Sequence, residues 1–431
     1  MPESPLAASP INRFLATWLL WTRRTARDDH DRRDDDVAEE ETMNARQVAA
    51  ISAMIHDVAK EAATGSSSSS RKRRRMCSTR SYEETCTLGE GSFGVVAKAC
   101  HRATGQTVAL KTPLDRGESV DLLLREACFM AACRGHPNAV ALCGIARAPG
   151  TSDYSIVMEY VGPTLHDVLH DRKFTEADMR GIMRQLLSAA AAMHGHGIIH
   201  RDIKPNNIFV VAAGDDAPLV VKIGDYGEAM STVEHEPADG AYSFAGTMSY
   251  MAPEMLLEKP DYDTGVDTWS LGCVMAELLT GKRLFKKADA ETDQLYKIFD
   301  LLGVPGKKAY REFNSPFLAD EVQVWRREQQ RRGRYRSRLR EMFPEKTLSK
   351  EGFEVLNGLL ACSPSKRLDA AAALRLPWFA DTGDHAPAPV VAAVSKTGGA
   401  SARIWALASC SWQVALAYLG CALRSVRPKA V

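Results

Sequence analysis

The sequence has almost no net charge: 55 Lys and Arg stand against 54 Asp and Glu in 431 residues. No global field therefore draws the chain to nucleic acid or to an anionic membrane as its main partner, and charge becomes a local question. Cysteine pairs are also missing. The ten cysteines include no C-x-x-C pair and no His/Cys metal spacing, and no secretory signal precedes them, which excludes a disulfide scaffold and points to reduced thiols in the cytosol or nucleus. Internal repeats are absent, and long apolar runs are few. Phe14 to Trp21 is too short to span a bilayer. Ile404 to Leu423 reaches the length of a membrane helix, but Ser409, Ser411, Gln413 and its many alanines dilute it, which argues against a membrane tether.

Three regions differ in texture. Residues 1–81 form a low-order N-terminal extension of alternating character: an apolar patch, a mixed-charge run from Arg23 to Glu41, and a serine tract from Ser66 to Ser70. Within it Val48, Ile51, Ile55 and Val58 recur at three-to-four spacing, so an amphipathic helix is expected between Met43 and Ala63. Residues 82–379 read as a folded domain, strands first and helices afterwards, with an N-lobe over 82–159 and a hinge and C-lobe over 160–379. Residues 380–431 form a Pro/Ala/Gly-rich tail carrying the 404–423 run.

The folded block holds the chemistry. Leu88-Gly89-Glu90-Gly91-Ser92-Phe93-Gly94-Val95-Val96 sets three glycines at G-x-G-x-x-G spacing between strand-like stretches. Glycine lets a backbone turn tightly and approach phosphate oxygens, though alone the pattern fits a tight hairpin equally well. One hairpin downstream, Val108-Ala109-Leu110-Lys111 ends an apolar strand on a lysine. An ammonium in such a strand is costly unless paired, and the expected partners are phosphates and a helical carboxylate, Glu126. The rival reading for Glu126 is a solvated acid pairing along its own helix.

His200-Arg201-Asp202-Ile203-Lys204-Pro205-Asn206-Asn207 follows a helical stretch and precedes the apolar strand Ile208 to Val211. Transfer of a phosphoryl group to a hydroxyl needs a carboxylate at the acceptor, a cation near the travelling group and an amide oxygen on the metal. Asp202, Lys204 and Asn207 occur in that order. A second acid for magnesium stands in Asp225-Tyr226-Gly227, after the strand Leu219 to Ile223. An Asp-Gly pair alone is usually a turn; four motifs in the required order argue against that reading.

Together with Ala252-Pro253-Glu254, this order resembles the eukaryotic protein kinases over residues 82–379. The resemblance implies an α+β bilobal fold, with a small β-rich N-lobe and a larger α-helical C-lobe. It further implies transfer of the γ-phosphoryl group of ATP to Ser/Thr hydroxyls of protein substrates, with Mg2+ as cofactor. By the same resemblance the nucleotide is held by Leu88, Gly89, Glu90, Gly91, Ser92, Phe93, Gly94 and Val96, by Ala109 and Lys111, and by the hinge at Glu159 and Val161. Glu126 orients Lys111, Asp202 is the catalytic base beside Lys204, Asn207 and Asp225 hold the metal, and Thr247 bonds the catalytic loop and shapes the acceptor site. Glu254 pairs with Arg367, and Asp267 braces the catalytic loop. The alternative is a nucleotide-binding pseudokinase acting as a scaffold, which is expected to lack Lys111, Asp202, Asn207 or Asp225; none is missing.

Ser270 to Gly281, Leu284-Phe285 and the segment Asp293 to Pro305 resemble the cyclin-dependent kinase branch, in a divergent form similar to plant members. Phe93 stands where that branch has a phosphorylatable tyrosine, and Met251 where it has an arginine linked to proline-directed specificity. An activating subunit is a candidate partner, yet Ser119 to Leu124 lacks the branch's cyclin-reading sequence, which argues against a cyclin in that role. Arg201 beside Asp202 suggests switching by activation-loop phosphorylation, with Ser231, Thr232, Tyr242 and Ser243 as candidates and Ser243 preferred. Arg71 to Arg75 resembles a nuclear-import patch, giving a nuclear or cytoplasmic location, and the arginine-rich stretch from Arg326 to Arg340 reads as a solvated helix face, with binding of an acidic partner or docking peptide as the alternative.

Overall fold

The computed structural model describes residues 77–91, 94–114, 118–150, 153–211, 218–232, 245–259, 261–305, 325, 327, 331 and 336–380. The helix expected between Met43 and Ala63, the apolar runs 14–21 and 404–423, the basic cluster Arg71 to Arg75 and most of the 326–340 stretch lie outside the described residues.

The N-lobe is a six-stranded sheet ordered β1-β5-β6-β4-β3-β2. Its strands are β1 (Cys77–Ser78), β2 (Tyr82–Gly91), β3 (Gly94–His101), β4 (Thr107–Thr112), β5 (Leu142–Arg147) and β6 (Tyr154–Glu159). Five of them pair antiparallel as adjacent strands or across one another, as the alternation of Val, Ile and Thr predicts. β1 is a difference from the sequence reading. It pairs parallel with β5 through Cys77 and Ser78, residues assigned above to the low-order extension. A two-residue strand carries no period of its own, so only its partner reveals it.

Helix α1 (Glu118–Ala132) packs on this sheet, and its buried Leu124, Ala127 and Met130 fall at the spacing of one helical face. The C-lobe begins with α2 (Leu165–Asp171) and α3 (Glu176–Gly195). Each starts at a threonine whose hydroxyl accepts an N–H of the first turn while an aspartate side chain returns the bond: Thr164 with Asp167, and Thr175 with Asp178. Along α3 the face of Met179, Ile182, Met183, Leu186, Ala190 and Met193 is buried, each large side chain contributing about 1.5–3 kcal/mol before entropic costs. Short strands β7 (Ile198–Ile199), β8 (Ile208–Val211), β9 (Val220–Ile223) and β10 (Met230–Ser231) form two hairpin-like pairs, β8 with β9 and β7 with β10.

After α4 (Pro253–Leu256) comes α5 (Gly265–Thr280), buried from Val266 through Leu278. A helix apolar nearly all round belongs at the centre of a lobe, and this one carries the fully buried Trp269. It stops at Gly281, whose φ of 66° is the left-handed turn that glycine makes without strain. The C-lobe continues with α6 (Glu291–Leu302), α7 (Leu339–Met342), α8 (Lys350–Leu359) and α9 (Ala370–Leu374). No helix among the described residues is long and apolar enough to cross a membrane.

Candidate active site

A cleft of about 600 Å³ opens between the lobes. β2 and β3 contribute Leu88, Gly89, Glu90 and Gly91, then Gly94 and Val96, to its lining. Gly89 and Gly91 face open space, since a Cβ on either would meet nothing within 4 Å. At Gly94 glycine is required: φ is 137° and a Cβ would collide with the Thr112 carbonyl. Ser92 and Phe93 lie outside the described residues.

Ala109 and Lys111 enter the cleft from β4. Pairing of Lys111 with Ile156 and Val96 in the sheet fixes the strand, and the side chain reaches Glu126 of α1 at 2.8 Å and Asp225 at 2.8 Å. Lys111 and Glu126 are both buried. The rival reading of Glu126 as a solvated acid therefore fails. Burial alone would lower the Lys111 pKa, but the Glu126 and Asp225 carboxylates outweigh it and hold it up at about 12. The ammonium stays charged. Asp225 has the opposite balance: burial favours its neutral form, and Lys111, with His200 and Lys204 beyond, keeps its carboxyl below the usual range.

The loop from His200 to Asn207 is held by a buried brace. Asp267 of α5 accepts N–H bonds from His200 and Arg201, each 2.9 Å, and His194 Nε2 lies 2.9 Å away. Burial would raise the Asp267 pKa; the His194 contact and the loop amides bring it below the ordinary range. In the loop so held Arg201 has φ 67°, and Asp225, just after β9, has φ 62°; both are left-handed conformations that are uncommon outside glycine and that gather at functional sites.

Around Asp202 three polar side chains converge. Lys204 Nζ lies 2.7 Å from Oδ2, Asn207 Nδ2 donates to Oδ2 at 2.9 Å, and Thr247 Oγ1 donates to Oδ1 at 2.8 Å. Lys204 Nζ also donates to Thr247 Oγ1 at 2.8 Å. The segment bearing Thr247 comes this close because Gly246 has φ 97° and no Cβ to strike the Arg201 carbonyl. Lys204, Asn207, Asp225 and Thr247 all line the same cleft as Lys111. Residues separated by more than a hundred positions thus form one acid-base and cation cluster.

Residues 82–379 match the protein kinase domain family. The chain belongs to that family. Its fold has the kinase division into a β-rich N-lobe and a helical C-lobe, and the activity is that of a Ser/Thr protein kinase of the cyclin-dependent kinase-like branch. The kinase is 45% identical over 312 residues to a chain of Oryza sativa subsp. japonica bearing the name cyclin-dependent kinase F-2, covering 70% of this chain and 90% of that one. Against cell division control protein 2 homolog 3 of Trypanosoma brucei brucei it is 36% identical over 314 residues, 70% of this chain and 92% of the other. Extracellular signal-regulated kinase 2 of Dictyostelium discoideum is 32% identical over 316 residues, 72% and 81% of the two chains.

Several residues of this kinase escaped the sequence reading. Lys222 of β9 places its ammonium 2.7 and 2.8 Å from the two oxygens of Glu159, tying the hinge to the C-lobe. The rule that singled out Lys111, a lysine inside an apolar strand, applies equally to Val220-Val221-Lys222-Ile223. Phe209 joins Met158, Tyr160 and Val161 in lining the hinge side; the latter three belong to the expected hinge segment, with Met158 just before it, and Phe209 alone of the four was not foreseen. Arg283, from the turn after α5, reaches the same cleft and had no signal in the linear pattern. The activation-loop candidates divide. Ser231 is fully buried in β10, opposite Ile198, where no modifying enzyme reaches it; Tyr242 and Ser243 lie outside the described residues.

Glu254 and Arg367 form a doubly bonded ion pair that is closed to solvent, one bond of 2.9 Å joining Nη2 to Oε2. It lies under the segment after Thr247 and away from the cleft lining.

Proposed function

We propose that Asp202 is the base that receives the acceptor hydroxyl proton, that Lys204 and Thr247 position it, and that Lys111, oriented by Glu126, grips the nucleotide phosphates. The observation that carries this reading is the convergence of Lys111, Lys204, Asn207 and Asp225 on one cleft, with Asp202 bonded to two of them. The open space beside Gly89 and Gly91 and the paired ammonium below them suit a triphosphate. Protein kinases in general use ATP with Mg2+, and the residues present fit that pair.

Asp225, with its side chain 39% exposed, and Asn207 would hold the metal. Among the described residues no group of three or more His, Cys, Asp or Glu could hold a metal by itself, which suits an ion that takes one or two protein ligands and completes its shell with phosphate and water. Bound there, Mg2+ would neutralise phosphate charge. The chain's own contribution is positional. Asn207 fixes the Asp202 carboxylate through one oxygen and Thr247 through the other, so the proton of an incoming hydroxyl meets an acid with a set direction. Lys204 balances the charge gained when that hydroxyl attacks. At the hinge, the Glu159 N–H is already given to the Ala141 carbonyl at 2.9 Å, so an adenine would meet the Glu159 carbonyl and the backbone of Val161.

Protein Ser/Thr side chains are the acceptor class. An activating subunit other than a cyclin, and a nuclear or cytoplasmic location, extend this reading and rest on the α1 sequence and on the Arg71 to Arg75 cluster. The test is radiolabelled phosphate transfer to a Ser/Thr peptide library by wild type and Asp202→Asn. Transfer by the wild type with loss in the variant supports the assignment; equal transfer by both removes Asp202 from the chemistry.

A further inference from the structure

The turn joining α5 to α6 carries Lys282, Arg283, Lys286 and Lys287 within six positions, all four exposed. It is firmly built. Phe285 is buried and stacks against Trp269 with ring centroids 6.1 Å apart, which plants the middle of the turn in the lobe's core. Thr280 Oγ1 bonds the Lys282 carbonyl at 2.8 Å, Gln294 Oε1 accepts the Ala288 N–H at 3.1 Å, and Lys297 Nζ caps the carbonyls of Lys286 and Lys287 at 3.1 and 3.2 Å. Every one of these bonds uses backbone of the turn. Its four cationic side chains are exposed, and among the described residues no carboxylate forms an ion pair with them. The neighbouring acids, Asp289 and then Glu291 and Asp293, sit toward the N-terminus of α6, where the helix dipole favours them.

One end of this cationic turn enters the cleft. Arg283 lines it together with Thr247, Lys204 and Tyr250. It stands close enough to Tyr250 to favour the ionised phenol electrostatically, while Tyr250 itself donates to buried Glu277 at 2.6 Å. The basic patch is therefore continuous with the place where an acceptor side chain would meet Asp202 and Thr247. A peptide bringing its hydroxyl to that point would pass Arg283, with the rest of the turn beyond it.

We infer that the Lys282–Lys287 turn is a substrate-selecting surface, which favours acceptor peptides with anionic side chains, carboxylate or phosphate, close to the phosphorylated residue. This deepens the kinase reading and depends on it. A rigid cationic rail costs little ordering entropy, and each exposed pair it forms with a peptide acid is modest, so selection comes from several pairs together and weakens with salt.

The experiment compares three peptides with the full chain: a serine acceptor flanked by alanines, the same acceptor flanked by glutamates, and the same flanked by phosphoserines. Both kcat/KM and peptide affinity by fluorescence anisotropy are measured. Several exposed pairs should give the acid-flanked peptides an advantage of about tenfold. Arg283→Ala should cut that ratio to about threefold, the combined Lys282→Gln, Arg283→Gln, Lys286→Gln and Lys287→Gln chain should bring it near one, and Arg283→Lys should restore most of it. A larger gain with phosphoserine than with glutamate assigns the surface to substrates already phosphorylated nearby; equal gains assign it to acidic sequences. A wild-type ratio near one, or a ratio unmoved in the neutralised chain, overturns the inference. So does tighter, salt-sensitive capture of a mixed-sequence DNA oligonucleotide than of either acidic peptide. If no peptide is phosphorylated at all, the anisotropy ratio still decides the surface, and it is then the catalytic reading that falls.

Discussion

Two buried ion pairs tie distant parts of this chain together, and they differ in what they leave open. Arg367 and Glu254 are sealed, with side chains 0% and 1% exposed, and both carboxylate oxygens are taken by one guanidinium. Lys111 is almost as buried at 8%, but its second partner, Asp225, keeps 39% of its side chain open to the cleft. The planar fork of arginine satisfies a carboxylate completely and holds two segments 113 positions apart. The lysine is a point charge shared between two acids, one of which retains lone pairs for something else. A closed pair stabilises structure; an open pair is a site waiting for charge.

The hardest blow to this contrast should come from the open side. Asp202→Asn is expected to lower kcat by about 10²–10⁴-fold while leaving the melting temperature close to wild type. A variant that melts far earlier, or one that keeps most of its activity, would break the distinction between chemical and structural acids. On the closed side, Arg367→Met strands Glu254 in a dry core and should cost about 3–5 kcal/mol in denaturant unfolding, with little change in kcat for the molecules that remain folded. If Asp202→Asn loses stability along with activity, or Arg367→Met loses activity along with stability, the two sites are not separable in the way their exposure implies.

Asp267→Asn comes next, at about 1.5–3 kcal/mol, because it removes the charge from bonds to His200 and Arg201. Its pH signature is distinctive. Asp267 and Asp225 both have folded-state pKa values below the ordinary range, so the stability they supply is present above about pH 4 and is lost as the pH falls through those lower values. Lys111, raised to about 12, supplies stability that is full below about pH 10.5 and is lost as the pH rises toward 12. The wild type should therefore unfold more easily on an acid limb, and Asp267→Asn should shallow that limb without touching the alkaline one. An unchanged acid slope in the variant would remove Asp267 as its source.

The smallest effect has the opposite sign. Tyr226 is buried, its ring 5.1 Å from that of His200, and among the described residues its hydroxyl makes no hydrogen bond of ordinary geometry, the Cys133 thiol being its polar neighbour. Removing an unsatisfied buried hydroxyl should help, so Tyr226→Phe is expected to gain about 1 kcal/mol in stability. A loss instead would mean that the hydroxyl has a bond in solution, with the thiol of Cys133 as the nearest polar candidate.

Much of the site was readable because its chemistry tolerates few residue types. Gly94 has to be glycine where a Cβ would strike backbone, and the Lys111 ammonium needs acids, so these positions announce themselves in a linear string, whereas the need for glycine at 246 shows only in the fold. The two-residue strand at Cys77–Ser78 could not, since its extended form depends on β5, nearly seventy residues away. Lys222 was readable in principle and passed over. Arg283 was not: an arginine in an exposed turn is ordinary in sequence, and only the packing of Phe285 beneath it aims the turn at the cleft.

Sequence alone determined which groups this protein has for handling phosphate, and that a β-rich segment is followed by a helical one, because local propensity, apolar period and the spacing of chemically constrained residues are all written along the chain. Tertiary structure decided which of those groups share a cleft, which acid is closed and which is open, and that Arg283 of an exposed turn reaches the cleft. Those are distances between residues far apart in the chain, set by how whole elements pack, and no local pattern contains them.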